Sequence, residues 1–291
     1  MSFPTALFID TIADAVGSVV EIKSIHSVSG GSINDSFHVV SNKGSFFVKS
    51  NQSKKFPEMF VREADGLRQL EKQCPGFTPQ VVGLSDDGIQ QILILDWIEN
   101  IIPNEKSWLA LGSKLAVTHQ LTASQFGLLQ NNFMGSVPQI NTPTNNFTEF
   151  FINCRLQPLV EATINQGLMP SEFSLKFDEL FRQFNTLIPE ELPSLIHGDL
   201  WSGNVIFNKA GTPKILDPAI AYSHREADIA MTTLFGGFHE SFYEAYNAIF
   251  PLEPNWKKRT SLFNLYPLLI HLKLFGHSYL GDIRCILEKY T

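Results

Sequence analysis

The sequence predicts an α+β fold of two lobes: a small antiparallel β-sheet lobe with one helix, then a larger, mainly helical lobe. Three observations carry this. Between residues 19 and 95, short apolar runs alternate with turn residues, and one helical stretch interrupts them. From residue 108 onward, apolar residues recur at helical spacing instead. Within that helical half, residues 196–218 return to short apolar runs set with His197, Gly198, Asp199, Asn204 and Asp217. The division is expected at Asp96-Trp97-Ile98, giving domains of residues 1–98 and 99–291.

Residues 5–16 read as a short amphipathic helix, with Leu7, Ile12 and Val16 on one side. Val19 to Val28 alternates as a strand. Phe37-His38-Val39-Val40 resumes it after the turn residues Gly30, Gly31 and Ser32. Ser45 to Lys49 forms a third strand ending on a lysine. Pro57 to Lys72 follows as a helix, with Pro57 suited to its first turn and Phe60, Ala64, Leu67 and Leu70 on one face. Val81 to Leu84 and Gln90 to Leu95 are strands joined at Ser85-Asp86-Asp87-Gly88.

The second half reads as helices over residues 108–121, 147–164, 171–187, 225–235, 239–250 and 256–275. In the third of these, Phe173, Phe177, Leu180, Phe181 and Phe184 make a core-facing stripe.

Composition narrows the function. The 291 residues are 44% hydrophobic and 18% charged, enough apolar content for a substantial core. The net charge of −7 argues against a nucleic-acid partner or a polybasic membrane contact. Cys74, Cys154 and Cys285 are far apart and form no C-x-x-C pair, so neither a disulfide framework nor a zinc site is expected. The N-terminus has no signal-peptide pattern, and no apolar stretch has the length of a membrane span, so the expected setting is the cytoplasm. Nothing in the pattern specifies an oligomer.

The chemistry concentrates in His197-Gly198-Asp199-Leu200-Trp201-Ser202-Gly203-Asn204, followed by Asp217-Pro218. Phosphoryl transfer from ATP needs a carboxylate to accept the proton of an attacking hydroxyl. It also needs an amide oxygen and a second carboxylate to hold Mg2+ against the phosphates. Asp199, Asn204 five residues on, and Asp217 supply that set in order. The protein-kinase signature H-R-D-L-x-x-x-N followed by D-F-G has the same Asp-to-Asn spacing. Gly198 in place of its Arg, and Pro218-Ala219 in place of its Phe-Gly, point to kinases of small molecules.

Lys49 ends its strand where the V-A-I-K pattern places a phosphate-binding lysine, and Glu63 follows 14 residues later on the next helix. Each residue alone has a plainer reading, an edge charge and an exposed helix carboxylate. Gly30, Gly31 and Ser32 read either as an ordinary hairpin turn or as a backbone cover for phosphates. No G-x-x-x-x-G-K-[ST] is present, which disfavours a P-loop enzyme.

The chain resembles the fructosamine kinase (ketoamine kinase) family, a protein-kinase-like group related to aminoglycoside and choline kinases. The resemblance rests on Leu200-Trp201 within the His197 to Asn204 segment, and on Met59-Phe60 with Glu63, Ala64, Gly66 and Leu67. It continues in Leu111-Gly112 with Leu115-Ala116 and His119, and in Phe126-Gly127. Gly135 with Pro138-Gln139 and Asn141, Phe150-Phe151 with Arg155-Leu156, and Leu265-Tyr266 through Phe275-Gly276 to Tyr279 complete it. Thr118, Phe147 and Lys273 depart from the pattern, and Lys273 bears on which acceptor is used.

The resemblance implies an ATP- and Mg2+-dependent kinase that phosphorylates a sugar hydroxyl of a ketoamine-modified amine or protein lysine, destabilising the adduct. It implies Asp199 as proton acceptor, and Asn204 and Asp217 as magnesium ligands. Lys49, oriented by Glu63, would contact the α/β-phosphates under Gly30, Gly31 and Ser32. Asp96, Trp97 and Ile98 would form the adenine hinge. Trp201 and His277 are acceptor-pocket candidates, though a helix-end histidine has an equally plain structural reading. His197 is expected to hydrogen-bond the backbone near Asp217 and fix the loop. Two alternatives stay open: a kinase of the same fold acting on an aminoglycoside, choline or another alcohol, and an inactive kinase-like binding module.

Overall fold

A computed structural model describes residues 5–29 and 33–291. Gly30, Gly31 and Ser32 lie outside the described residues. The chain forms two compact units, Met1–Ser107 with Gly203–Pro218, and Trp108–Ser202 with Ala219–Thr291. The expected division at residue 98 is a single cut, whereas here the segment 203–218 packs with the first unit.

The first unit is built on a five-stranded antiparallel sheet of β1 (Ile22–Ser27), β2 (Asp35–Ser41), β3 (Gly44–Gln52), β4 (Val81–Asp86) and β5 (Gln90–Asp96), ordered β1-β2-β3-β5-β4. Side chains alternate between faces with period two, and the sequence supplies a helix for each face. Phe8 and Ile12 of α1 (Thr5–Val16) pack on Phe37, Val39, Phe46, Val48, Ile92 and Ile94. Phe60, Ala64 and Leu67 of α2 (Met59–Gln73) pack on Leu93 and Leu95. This explains the unbroken run Ile92-Leu93-Ile94-Leu95: both faces are covered, so neither position is polar. Phe8, Ile12 and Leu67 are wholly buried, each stabilising the sheet by roughly 2 kcal/mol.

The excursion Gly203–Pro218 is a hairpin of β9 (Val205–Phe207) and β10 (Pro213–Ile215). Backbone bonds fasten it to the first unit, from Ile101 N–H to Phe207 O at 2.9 Å and from Ile215 N–H to Phe77 O at 2.9 Å. Lys214 Nζ adds a 2.8 Å bond to Thr78 O.

The second unit contains most of α3 (Glu105–His119), the hairpin β6 (Asn132–Met134) with β7 (Val137–Gln139), and the helices α4 (Phe147–Phe151), α5 (Gln157–Asn165) and α6 (Glu172–Leu187). A π-helical turn, Ile152–Leu156, joins α4 to α5. The strands β8 (Ser194–Ile196) and β11 (Ala221–Ser223) pair antiparallel. Helices α7 (Glu226–Leu234), α8 (Glu240–Ile249), α9 (Trp256–Phe275) and α10 (Leu280–Tyr290) complete the unit. Helix α9 is buried almost continuously from Leu262 to Leu272, as a helix apolar on all sides requires. The phenylalanines concentrate here: Phe147 contacts Phe126, Phe151 and Phe263, and Phe151 stacks on Phe184.

Candidate active site

The first unit brings Lys49, Glu63, Asn204 and Asp217 to one region. Lys49 Nζ reaches both Glu63 carboxylate oxygens at 2.8 Å and Asp217 Oδ1 at 3.0 Å. The lysine side chain is only 5% exposed and that of Glu63 only 10%, so the pair is shielded from solvent. Burial works against the lysine's charge, but Asp217 and Glu63 outweigh it and raise its pKa, so the ammonium persists. Burial pushes the Glu63 carboxyl above the ordinary carboxylate range against the pull of Lys49.

Asp217 differs in being 44% exposed, with a carboxylate open to a ligand. Its backbone sits at φ 54°, a conformation that an L-residue adopts at a cost and that recurs at functional sites. The hairpin explains how a residue 13 positions earlier becomes its neighbour. Val205 pairs with Ile215, and Leu216 N–H donates to Asn204 O at 2.9 Å, so Asn204 and Asp217 flank the same hairpin end. A carboxylate and an amide oxygen are hard donors of the type magnesium takes, and the exposed Asp217 carboxylate fits that use.

Trp97 and Asp96 close the same sheet. Asp96 Oδ1 accepts from Gln80 N–H at 2.5 Å, and Trp97 N–H donates to Ser45 O at 3.2 Å. Ile98 follows as a half-buried residue outside the strand.

The second unit holds Asp199 on a braced turn. Asp228, on α7 and 1% exposed, accepts from His197 N–H at 2.7 Å through Oδ2 and from Gly198 N–H at 2.8 Å through Oδ1. His119 Nε2 donates to Oδ2 at 3.1 Å, and its Nδ1 meets the Tyr246 hydroxyl at 2.7 Å. Burial alone would raise the Asp228 pKa, but the bond from His119 and the charges and amide around it hold it below the usual carboxylate range. Gly198 is required twice over. Its φ is 85°, and a Cβ there would collide with the Ala219 carbonyl. The imidazole of His197 accepts the Asp199 N–H at 3.2 Å, so it stiffens the turn locally.

A second brace grips the other side of the turn. Ala219 N–H donates to His197 O at 2.8 Å. Gln139 Nε2 donates to Ala219 O at 3.0 Å, and Asn132 Nδ2 to Ile220 O at 2.9 Å. Behind them, Asn141 bonds Asn132 Oδ1 at 2.8 Å, Arg155 bonds Asn141 Oδ1 at 2.7 Å, and the Tyr266 hydroxyl donates to Gln139 Oε1 at 2.9 Å. Burial pushes the Tyr266 phenol up to about 12, so it stays a neutral donor.

Trp201 packs edge-on against Phe235, ring centroids 6.1 Å apart, and Phe235 lies 4.6 Å from His271. His277 is exposed on a short 3-10 turn. The sequence reading did not assign roles to Asp228, Asn132, Gln139, Asn141 or Arg155. A charged residue within the apolar run Ala227-Asp228-Ile229-Ala230-Met231 was the available signal for the first.

Among the described residues, one group of metal-ligating side chains converges, Glu191, His224 and Glu226. It is an ion-pair cluster. Arg225 pairs with both oxygens of Glu191 at 2.8 Å, and Arg259 pairs with Glu226. Both ring nitrogens of His224 are engaged, Nε2 with Pro189 O at 3.2 Å and Nδ1 with Glu226 N–H at 3.2 Å. The imidazole therefore has no lone pair left for a cation, and both carboxylates are already neutralised by arginines.

Comparison with known proteins identifies the family. The family model for fructosamine kinase covers residues 5–291. A probable ketoamine kinase of Enterococcus faecium is 37% identical over 90% of this chain and 94% of its own length. The chloroplastic protein-ribulosamine 3-kinase of Arabidopsis thaliana is 36% identical over 94% of this chain and 84% of its own. A crystal structure from Haemophilus somnus, provisionally named a fructosamine-3-kinase, superposes with a TM-score of 0.88 at 25% identity over 97% of this chain and 96% of that one. An aminoglycoside phosphotransferase solved with ADP and hygromycin B shares the fold alone, with a TM-score of 0.65 at 12% identity over 99% of this chain and 96% of that one. The two-lobed kinase-like fold is thereby established, and the chain belongs to the fructosamine kinase family.

Proposed function

We propose that this chain is an ATP-dependent phosphotransferase acting on a sugar hydroxyl of a ketoamine, with Asp199 as the group that accepts the hydroxyl proton. The observation that carries the reading is the buried Lys49 cation held by Glu63 and Asp217. A cation fixed by two carboxylates is preorganised for phosphate oxygens. Asn204 and Asp217 would hold magnesium, which supplies charge neutralisation across the phosphates. Asp96, Trp97 and Ile98 would contact the adenine.

In the second unit, the braces on residues 197, 198 and 219 orient Asp199. Its position two residues after a fully buried histidine, on a turn with two backbone amides tied to Asp228, supports a fixed carboxylate rather than a mobile one. Phosphoryl transfer depends on such positioning more than on covalent chemistry. The aromatic contacts of Trp201 support its place beside the acceptor, and nothing in the surroundings of His277 adds to its candidacy. A protein-bound lysine adduct is the acceptor we favour. The proposed setting is the cytoplasm, which the sparing cysteine pattern supports.

A magnesium-dependent ADP-release assay tests the reading across ribulosamine- and fructosamine-modified lysine, an aminoglycoside, choline and no acceptor. Turnover on a ketoamine alone is the expected result. Turnover on the aminoglycoside or choline alone would reassign the acceptor, and ADP release independent of any acceptor would overturn the reading.

A further inference from the structure

Among the described residues, three buried side-chain atoms have no hydrogen bond within the protein: His38 Nε2, Asn51 Oδ1 and Asn264 Oδ1. The first lies on the sheet face that carries Lys49. The register pairs His38 with Phe47 and Ser36 with Lys49, and Phe47 with Leu95 and Lys49 with Leu93. Directly opposed side chains share a face, so His38, Phe47 and Lys49 project to the same side. Helix α2 covers that face at Leu93 and Leu95. His38 is covered differently. The Trp97 indole lies flat on its imidazole, with centroids 3.7 Å apart and planes 16° from parallel. Phe47 flanks the indole at 6.5 Å.

Indole and purine are both flat, fused six- and five-membered rings, and either stacks on an aromatic platform. Phe47 is two residues from Lys49, about 7 Å along the strand, a separation that suits a base and the phosphates of one nucleotide. In the closed stack His38 Nε2 is buried without a hydrogen bond within the protein.

We propose that the Trp97 indole stands in for the purine of ATP: the base stacks on His38 in the indole's place, and the indole moves aside to admit it. His38 is then a nucleobase-contacting residue, and Trp97 adds an occluding side chain to the hinge backbone. The inference rests on the ATP-dependent reading above.

The test is a titration of the full chain with ADP and magnesium, without acceptor, followed by tryptophan emission and by calorimetry. Emission changes on binding, and Trp97→Phe removes most of that change. His38→Ala weakens ADP binding about tenfold through loss of the stacking platform. Trp97→Ala tightens binding several-fold because no ring has to be displaced. His38→Leu, which keeps side-chain bulk and loses the flat ring, separates stacking from packing, and melting curves of all variants report folding. An unchanged Kd in His38→Ala, or weakening by Trp97→Ala equal to that by His38→Ala, overturns the proposal. A native chain that binds no ADP overturns the ATP-dependent reading with it, whereas ADP binding indifferent to His38 overturns this inference alone.

Discussion

Replacing Asp228 with Asn tests how the turn before Asp199 is held. The Asp228 carboxylate accepts three bonds, from His197 N–H, Gly198 N–H and His119 Nε2. An amide of the same shape has one oxygen and one NH2. The least damaging placement keeps the oxygen on His197 and His119, and turns the NH2 towards Gly198 N–H, where two donors then face each other near 2.8 Å. One charge-assisted bond is lost outright, about 1.5–3 kcal/mol, and the other two weaken, so the total is roughly 3–5 kcal/mol. For a unit of this size that lowers Tm by roughly 10 °C. Differential scanning fluorimetry reads the stability, and kcat at a temperature where the variant is fully folded reads the positioning. Asp228→Asn is expected to lower kcat at least tenfold while ATP affinity, set in the first unit, holds. A variant with native Tm and native kcat would refute the bracing argument.

Three further outcomes follow from the same geometry. Glu63→Gln leaves the buried Lys49 with Asp217 as its remaining carboxylate, so it should cost about 3 kcal/mol of stability and lower kcat/KM for ATP tenfold or more; an unchanged kcat/KM would detach Glu63 from the lysine's role. Gln139→Met preserves volume and removes the bonds to Ala219 O and Asn132, so exchange of the 195–201 peptide with deuterated solvent should accelerate and kcat fall with both KM values held; native protection would show that the second brace is dispensable. Burial is the main cause holding His224 near pKa 4 in the folded chain against 6.5 ordinarily. Its contribution to stability is complete above pH 6.5 and is lost as pH falls towards 4, about 3 kcal/mol in all. His224→Gln should flatten that part of the stability-versus-pH curve, and an unaltered acid limb would contradict the assignment.

The fold was legible where the periodicity was long or the spacing chemical. Lys49 and Glu63 were legible together because a lysine closing an apolar run and a carboxylate on the next helix match the phosphate-binding pattern, although β3 continues past the lysine to Gln52. The apolar runs at Phe46-Phe47-Val48 and Ile92-Leu93-Ile94-Leu95 marked the strands, and the structure shows Phe46, Val48, Ile92 and Ile94 on one face and Leu93 and Leu95 on the other. The three-residue strands β6 to β11 are too short to show a period, and β8 pairs with β11 across 24 intervening residues, so no local signal marked them. The braces were hidden for the same reason. Asp228 reaches the amides of His197 and Gly198 across 31 and 30 residues, and Asn132 reaches Ile220 across 88. Buried polar residues with distant partners look, in sequence, like turn or surface residues. Arg155 is similar: a π-helical turn directs it inward onto Asn141 and the rings of Phe150 and Tyr266, which helical spacing alone does not foresee.

The most direct test of the account is mass spectrometry of a ribulosamine- or fructosamine-modified lysine peptide after incubation with ATP and magnesium, with the native chain and Asp199→Ala side by side. The account predicts that the native chain adds one phosphate to the sugar of the adduct, while Asp199→Ala adds none yet binds ATP and melts normally. Equal phosphorylation by both proteins would remove Asp199 from its role as proton acceptor, and an unmodified adduct with the native chain would contradict the ketoamine assignment itself.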